Sequence, residues 1–270
     1  MGDTLDADLV AKVNPNVPHS ARWWNYLLGG KDNYAADRAV GDAVVAQMPE
    51  IRDMALAGRG FLERAVTYLA GEAGIRQFLD LGTGLPTAGN THEVAQHVAP
   101  EAKIVYVDND PLVLVHARAL LTSNPEGVTD YIDADVRDPG KILQLAAATL
   151  DFSQPIAVLM VGILGHIRDD NQPSPAQIVA AFVDAVPAGS YLAINDSVIT
   201  AKTAEAIETA RDAGGDYNLR TVDEITEFFA GLEVVEPGVV STPLWRPKPT
   251  DEPKVEPPKL DVYCGLARKP

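Results

Sequence analysis

The chain has 270 residues, with 22 Lys and Arg against 38 Asp and Glu, which gives a net charge of −16. This charge repels nucleic acid and anionic membranes over about a Debye length, ~8 Å in the cell, so we expect neither among the partners. The only cysteine, Cys264, cannot form an internal disulfide, and no Cys or His cluster has the spacing of a zinc site, so we expect no metal. No signal peptide is visible, and the longest apolar run is about half of the ~20 residues that span a bilayer, which predicts a cytoplasmic protein.

The first 74 residues predict a loose arm, residues 1–18, followed by a helical cap, residues 19–74. Apolar spacing and capping residues indicate helices over 20–28, 37–47 and 59–70. The first contains Trp23, Trp24 and Tyr26 and ends at a pair of glycines. Two adjacent tryptophans point to different sides of a helix, so one ring either packs under a loop or lies over a ligand as a lid.

Residues 77–84, with the sequence QFLDLGTG, predict a buried strand followed by a tight turn. The apolar run suits a strand covered on both faces, and Gly82 and Gly84 permit backbone conformations that other residues avoid. A dinucleotide would place its pyrophosphate against this turn, where the carboxylate of Asp80 would repel it. S-adenosylmethionine (SAM) has no phosphate and carries an ammonium and a sulfonium, so Asp80 favours SAM. Thr87, where a dinucleotide site has Gly or Ala, also disfavours NAD.

Strands and helices alternate along the remainder of the chain. Strands are predicted over 103–107, 129–134, 156–164, 191–194, 232–240 and 260–267, with helices over 91–98, 111–121, 139–150, 173–186, 201–213 and 221–229. No helix separates the last two strands, so they should be antiparallel. The fold class is α/β, a Rossmann-like domain over 75–270 with a seven-stranded, mostly parallel sheet and an antiparallel last strand. A proline-rich loop covers 243–259.

Acidic residues follow each of the first three predicted strands. Asp80, Asp108 and Asp135 would share the carboxyl edge of a parallel sheet, where ligands bind in such folds. Asp108 is suited to bind ribose hydroxyls, Asp135 an adenine amino group, and the backbone amide of Val136 a ring nitrogen. Each acid alone could instead cap a helix. Together the three predict a nucleoside site.

Several strings then resemble a known family. The strings FLDLGTG, VYVDNDP and DADV are similar to those of class I SAM-dependent methyltransferases. RWWNYLLGGKDNYAADR, RQFLDLGTGLPT and HEVAQ resemble, more narrowly, a bacterial S-adenosyl methyltransferase family formerly catalogued as a domain of unknown function, over nearly the whole chain. The resemblance implies SAM as cofactor and an N-terminal helical cap, with no established acceptor. Gly165-His166 and Asn195-Asp196 depart from the family pattern where an acceptor would bind.

These considerations define the candidate site. The cofactor-binding candidates are Arg22, Tyr26, Asp80, Gly82, Thr83, Gly84, Asp108, Asn109, Asp135, Val136 and Gly162. The basic residues of the cap that could bind the methionine carboxylate of SAM are Arg22, Lys31 and Arg59, and Arg can bind a carboxylate bidentately; Arg22 is the preferred candidate. The catalytic candidates are His166, as general base, and Asp196. The expected function is methyl transfer to a small-molecule acceptor; the alternatives are a SAM-binding regulatory protein without catalysis and an NAD-linked oxidoreductase.

Overall fold

A computed structural model describes residues 13–87, 89–120, 123–247 and 257–270. Most of the predicted arm and of the proline-rich loop therefore lies outside the described residues, as does Leu121 at the end of a predicted helix. The strands are β1 Gln77–Leu81, β2 Lys103–Asp108, β3 Val128–Asp133, β4 Ala157–Val161, β5 Tyr191–Ser197, β6 Glu233–Val234, β7 Val240–Ser241 and β8 Val262–Arg268. The α-helices are α1 Ser20–Leu27, α2 Ala35–Gln47, α3 Ile51–Gly71, α4 Thr91–Val98, α5 Pro111–Leu120, α6 Pro139–Ala146, α7 Pro175–Ala185, α8 Ala201–Asp212 and α9 Val222–Glu227.

Within the described residues, the eight strands form one sheet in the order β3-β2-β1-β4-β5-β8-β6, and β7 also pairs with β8. The first five strands are mutually parallel, and β8 runs antiparallel to β5, β6 and β7. This confirms the Rossmann-like class and the antiparallel end. The sequence did not indicate that β8 would lie inside the sheet, between β5 and β6.

Helices cover both faces of the sheet. On one face α3 packs over β4, β5 and β8, and its residues Phe61 and Leu69 are fully buried there together with Trp245, which follows β7. A second cluster, which includes Trp23, Val40 and Met54, joins α1, α2 and the first half of α3. Two of these helices, α1 and α3, lie before the carboxyl ends of β1, β4 and β5. None of the described helices is both long and apolar enough to cross a membrane.

The predicted strand over 232–240 is divided into β6 and β7. Pro237 has no backbone N–H for a ladder, and Gly238 adopts a φ of 94°. Both features interrupt pairing with β8, which gives eight strands in place of seven.

Helix α3 begins at Ile51, eight residues before its predicted start. Gly58 and Gly60 lower the helix propensity of this stretch, which hid its first half from sequence reasoning. Burial of Ile51, Met54 and Ala55 outweighs this propensity. The extension matters because it brings Gly58 and Arg59 to the sheet edge as part of one continuous helix.

Candidate functional site

A cleft lies between the carboxyl ends of β1, β2, β4 and β5 and the helices α1 and α3. It contains about 1050 Å³ of space free of protein atoms, including its open mouth. Of the predicted residues, it is lined by Asp80, Gly82, Thr83, Gly84, Asp108, Asn109, Val136, Gly162 and His166.

The glycine turn after β1 forms the floor of the cleft. Gly82 and Gly84 have φ of 73° and 67°, as the sequence predicts. A Cβ on Gly82 would also lie 2.6 Å from the Ile163 side chain, so no larger residue fits there. The turn is tied to β2, because the Gly84 N–H donates to Asp108 Oδ2 at 2.8 Å.

Asp108 lies at the end of β2 and is nearly buried. Its Oδ1 accepts from the Asp110 N–H at 2.9 Å, and its Oδ2 from Gly84. Each oxygen retains a lone pair, and the residue lines the cleft. Burial raises the Asp108 pKa, opposed by these two backbone hydrogen bonds. The side chain therefore both fixes the local turns and presents an acceptor to the cleft.

Asp80 and Arg59 form a pair of opposite charges in the cleft. Burial raises the pKa of Asp80 to about 6, while the Thr91 hydroxyl, 2.6 Å from Oδ2, and the charge of Arg59 act in the opposite direction. Arg59, on α3, also donates from Nη2 to the Gly89 carbonyl at 3.1 Å. Its pKa is lowered by burial. A cation and an anion thus lie together on the same wall.

His166 follows β4 in a short 3₁₀ turn and is half-buried at the cleft. Its Nδ1 lies 3.3 Å from the carbonyl oxygen of Asp216. A carbonyl can only accept, so Nδ1 carries the proton and Nε2 carries a lone pair. Burial lowers the pKa of His166 to about 4, so the ring is neutral at pH 7. Its Nε2 can therefore accept a proton or a hydrogen bond.

Asp196, the second predicted catalytic residue, is not on the cleft wall. It is fully buried on the other face of β5, where it accepts from the Tyr217 hydroxyl and, at 3.2 Å, from Arg220 Nη1. Burial raises its pKa to about 6, opposed by both partners. The carboxylate is enclosed by these groups and cannot reach an acceptor in the cleft.

Arg22 and Tyr26, predicted to contact the cofactor, lie outside the cleft lining. Arg22 is buried, with Nε 3.3 Å from Asp110 Oδ2 and 3.8 Å from Asp37 Oδ1. Tyr26 points to the far side of α1, where its hydroxyl donates to Asp42 at 2.5 Å. The helix rotation that buries Trp23 instead turns Trp24 to the cleft.

Asp135 is likewise not among the lining residues, although Val136 is. Its Oδ1 accepts from Arg137 Nε and from the Arg137 N–H, both at 2.9 Å. This pairing lowers the Asp135 pKa. Asn109 lies on the cleft and donates weakly to Asp135 at 3.4 Å. The contact of Asp135 with an adenine amino group stays a prediction.

Sequence reasoning named Trp24 as one of two rings that could form a lid and placed Asn195 where an acceptor would bind, but it counted neither among the site residues, and it ranked Arg59 below Arg22. The sequence carried no signal for Arg59, because the first half of α3, which brings Arg59 to the sheet edge, was not predicted. Among the described residues, no group of three or more His, Cys, Asp and Glu side chains could hold a metal ion.

A Rossmann-like sheet with a cleft outside the carboxyl ends of its parallel strands defines the class of α/β proteins that bind a ligand at this edge of the sheet. The family model described as S-adenosyl methyltransferase matches residues 6–270. The chain belongs to this family, and its cofactor is S-adenosylmethionine. Membership of this family favours SAM over NAD as the cofactor, so the chain is not the NAD-linked oxidoreductase of the alternative hypothesis.

Solved structures agree with this assignment. A DUF574 family protein from Streptomyces avermitilis is 41% identical, with a TM-score of 0.87 over 94% of this chain and 98% of that chain. A candidate methyltransferase from Thermobifida fusca is 44% identical, with a TM-score of 0.85 over 94% and 96%. The magnesium protoporphyrin IX methyltransferase of Synechocystis, 11% identical with a TM-score of 0.50 over 92% and 90%, shares the fold alone. No curated protein matches the chain.

Proposed function

We propose that this methyltransferase acts on a hydroxyl or amino group of a small, non-anionic molecule, with His166 as the proton acceptor. SAM supplies an electrophilic methyl group on a sulfonium. The reaction requires alignment above all, and holding two reactants in line contributes ~7–11 kcal/mol. The chain's role is therefore to fix the cofactor at one end of the cleft and the acceptor at the other.

The observation that carries the proposal is the Asp80–Arg59 pair beside the Asp108 acceptor. The amino-acid end of SAM is a zwitterion, with an ammonium and a carboxylate on one carbon. Asp80 is suited to the ammonium and Arg59 to the carboxylate, while Asp108 accepts from the ribose hydroxyls. The adenine then lies towards Val136, and the sulfonium towards Gly162 and His166.

His166 has the geometry of a general base. Its Nδ1–H is held by the Asp216 carbonyl, so Nε2 is the free lone pair on the cleft side. With a pKa of about 4, His166 is a weak base, so it accepts the proton only after the new bond to carbon has made that proton strongly acidic. A cytoplasmic location stays a prediction from the sequence.

The test compares two ligands that differ only at the amino-acid end. S-adenosylhomocysteine (SAH) has this end, and 5′-methylthioadenosine lacks it. We expect Asp80→Asn and Arg59→Gln to weaken SAH binding by ~1.5–3 kcal/mol, about tenfold or more, without weakening methylthioadenosine binding, as measured by calorimetry.

Arg52→Gln is the matched control. Arg52 lies on the same helix two turns away, over the Tyr26 ring and outside the cleft lining. An equal loss for both ligands in Arg59→Gln would contradict the assignment of Arg59 to the carboxylate. If neither ligand bound the wild-type protein, the whole site would be refuted.

A further inference from the structure

Besides the residues assigned to the cofactor, the cleft is lined by apolar side chains from α1, α3 and the loop after β4, namely Trp24, Leu28, Ala55, Leu62 and Ile163. Ile163 lies against Gly82 of the glycine turn, so this apolar surface reaches the cofactor-binding part of the cleft. The polar lining side chains at the ends of β4 and β5 are His166 and Asn195, and Ser20 and Asn25 line the cleft from α1. His166 and Asn195 therefore define the hydrogen-bonding groups that the strand side of the cleft presents to an acceptor.

Asn195 has a fixed amide orientation. Its amide lies 2.8 Å from Thr242 Oγ1 and 3.3 Å from the Tyr263 carbonyl oxygen. The Thr242 hydroxyl gives its only proton to the Val262 carbonyl at 3.0 Å, so towards Asn195 it can only accept. Both neighbours of the amide are acceptors, which assigns the NH₂ group to them and leaves Oδ1 on the opposite side.

Oδ1 of Asn195 lies against α3 at Gly58. A Cβ atom on Gly58 would be 3.1 Å from Oδ1, closer than ordinary van der Waals contact, so the missing side chain is what leaves this oxygen uncovered. Among the described residues, no group donates a hydrogen bond to Oδ1. A nearly buried amide oxygen is normally bound by a hydrogen-bond donor. A ligand in the cleft can supply this donor to Oδ1 of Asn195.

His166 has the same character. Its proton is on Nδ1 and is used by Asp216, so its cleft-side nitrogen accepts. The Arg59 guanidinium, which also lines the cleft, is attracted by the carboxylates of Asp80 and Glu93. Both polar atoms that face the acceptor end from the strands are thus hydrogen-bond acceptors.

We infer that Asn195 is a specificity residue for an acceptor that carries two hydrogen-bond donors on an apolar frame and has no anionic group. This inference rests on the proposed function. One donor, a hydroxyl, binds Nε2 of His166 and is the group methylated; the second binds Oδ1 of Asn195. The hydroxyl oxygen forms a bond to the methyl carbon, the carbon–sulfur bond breaks with its electron pair on sulfur, and the hydroxyl proton passes to Nε2 and then to water. A carboxylate or phosphate has no proton to donate to Nε2 of His166 or to Oδ1 of Asn195. Its negative charge would face the lone pairs of these two atoms, so we expect such a ligand to be rejected.

The test uses three probes of similar frame in the presence of saturating SAH. Catechol has two donors, its dimethyl ether has none, and benzoate is anionic. We expect calorimetry to show saturable catechol binding, about tenfold or more weaker binding of the ether, and no binding of benzoate. Failure of SAH itself to bind would refute the proposed function, whereas normal SAH binding with equal binding of benzoate and catechol, or with no catechol binding, would overturn only this inference.

Two variants assign the effect to Asn195. Asn195→Leu removes the oxygen but also the buried bonds to Thr242 and Tyr263, and it could destabilise the protein. Gly58→Ala keeps those bonds and places a methyl group over Oδ1. We expect each to weaken catechol at least about fivefold while SAH affinity is retained; unchanged catechol affinity in Gly58→Ala would show that Oδ1 does not bind the acceptor.

Discussion

Gly165 and Tyr217 are in such close contact that a Cβ atom on Gly165 would lie 2.0 Å from Tyr217 Cζ. The Tyr217 hydroxyl donates to Asp196, and its ring packs edge-on against His166, with 4.9 Å between centroids. The two departures from the family pattern, at Gly165 and at Asn195-Asp196, are therefore joined through one tyrosine. The segment around Tyr217 also binds the Gly165 carbonyl through the Asn218 N–H at 2.6 Å.

Gly165→Ala should lower the free energy of unfolding. A methyl group there displaces the Tyr217 ring or the backbone, and overpacking of this kind costs ~1–3 kcal/mol. Chemical denaturation measures the effect. Gly140→Ala, on α6, is the control, because a Cβ there has its nearest contact at 3.9 Å. Equal stability of the two variants would contradict the close contact.

His166 should titrate near pH 4 with its proton on Nδ1. Burial lowers its pKa to about 4 from an ordinary 6.5, so between these values the unfolded chain binds the extra proton and the folded chain does not. The contribution of His166 to stability is thus present above about pH 6.5 and is lost as the pH falls towards 4. Nitrogen NMR gives both the tautomer and the pKa, and His166→Gln identifies the signal. A signal with the proton on Nε2 at pH 7 would exclude His166 as the base.

SAM affinity should rise with pH through the titration of Asp80. Burial raises the pKa of Asp80 to about 6, and an ammonium beside it favours the ionised form, so binding below about pH 6 releases a proton. Affinity should increase by up to about tenfold per unit below this value and flatten above it. Calorimetry in two buffers of different ionisation enthalpy detects the proton. The same pH dependence in Asp80→Asn would assign the titration to another group.

Asp108→Asn should weaken SAH and methylthioadenosine together, by ~1.5–3 kcal/mol, because both ligands carry the ribose. Asp133→Asn is the control. Asp133 ends the neighbouring strand β3 but is exposed and does not line the cleft. Unchanged affinities in Asp108→Asn would leave Asp108 with only its role in the two turns.

Arg22→Met should destabilise the protein without changing the preference for SAH over methylthioadenosine. Its loss leaves the buried carboxylates of Asp37 and Asp110 without their cation, and breaking a buried pair costs ~3–5 kcal/mol. Thermal unfolding measures the stability, and calorimetry on the folded variant measures the preference. A selective loss of SAH affinity would instead restore Arg22 to the cofactor site.

The sequence by itself determined the features that depend on neighbouring residues. A run of apolar residues and the conformational freedom of glycine are local properties of the sequence, so QFLDLGTG predicted both β1 and the positive φ of Gly82 and Gly84. The order of strands and helices predicted the parallel sheet, and a parallel sheet brings Asp80 and Asp108 to one edge. The turns and strand ends that the local sequence encodes were therefore enough to predict a SAM-binding protein.

Only the tertiary structure decided which side chains face the cleft. Neighbouring residues of a strand point to opposite faces, so Asn195 and Asp196 could not both line the site, and the sequence does not say which face the cap covers. The choice between Arg22 and Arg59 depended in the same way on the rotation of α1 and α3, which is set by the packing of Trp23 and Phe61. The position of β8 inside the sheet and the amide orientation of Asn195 arise from contacts between residues that are far apart in the chain, and no local pattern encodes them.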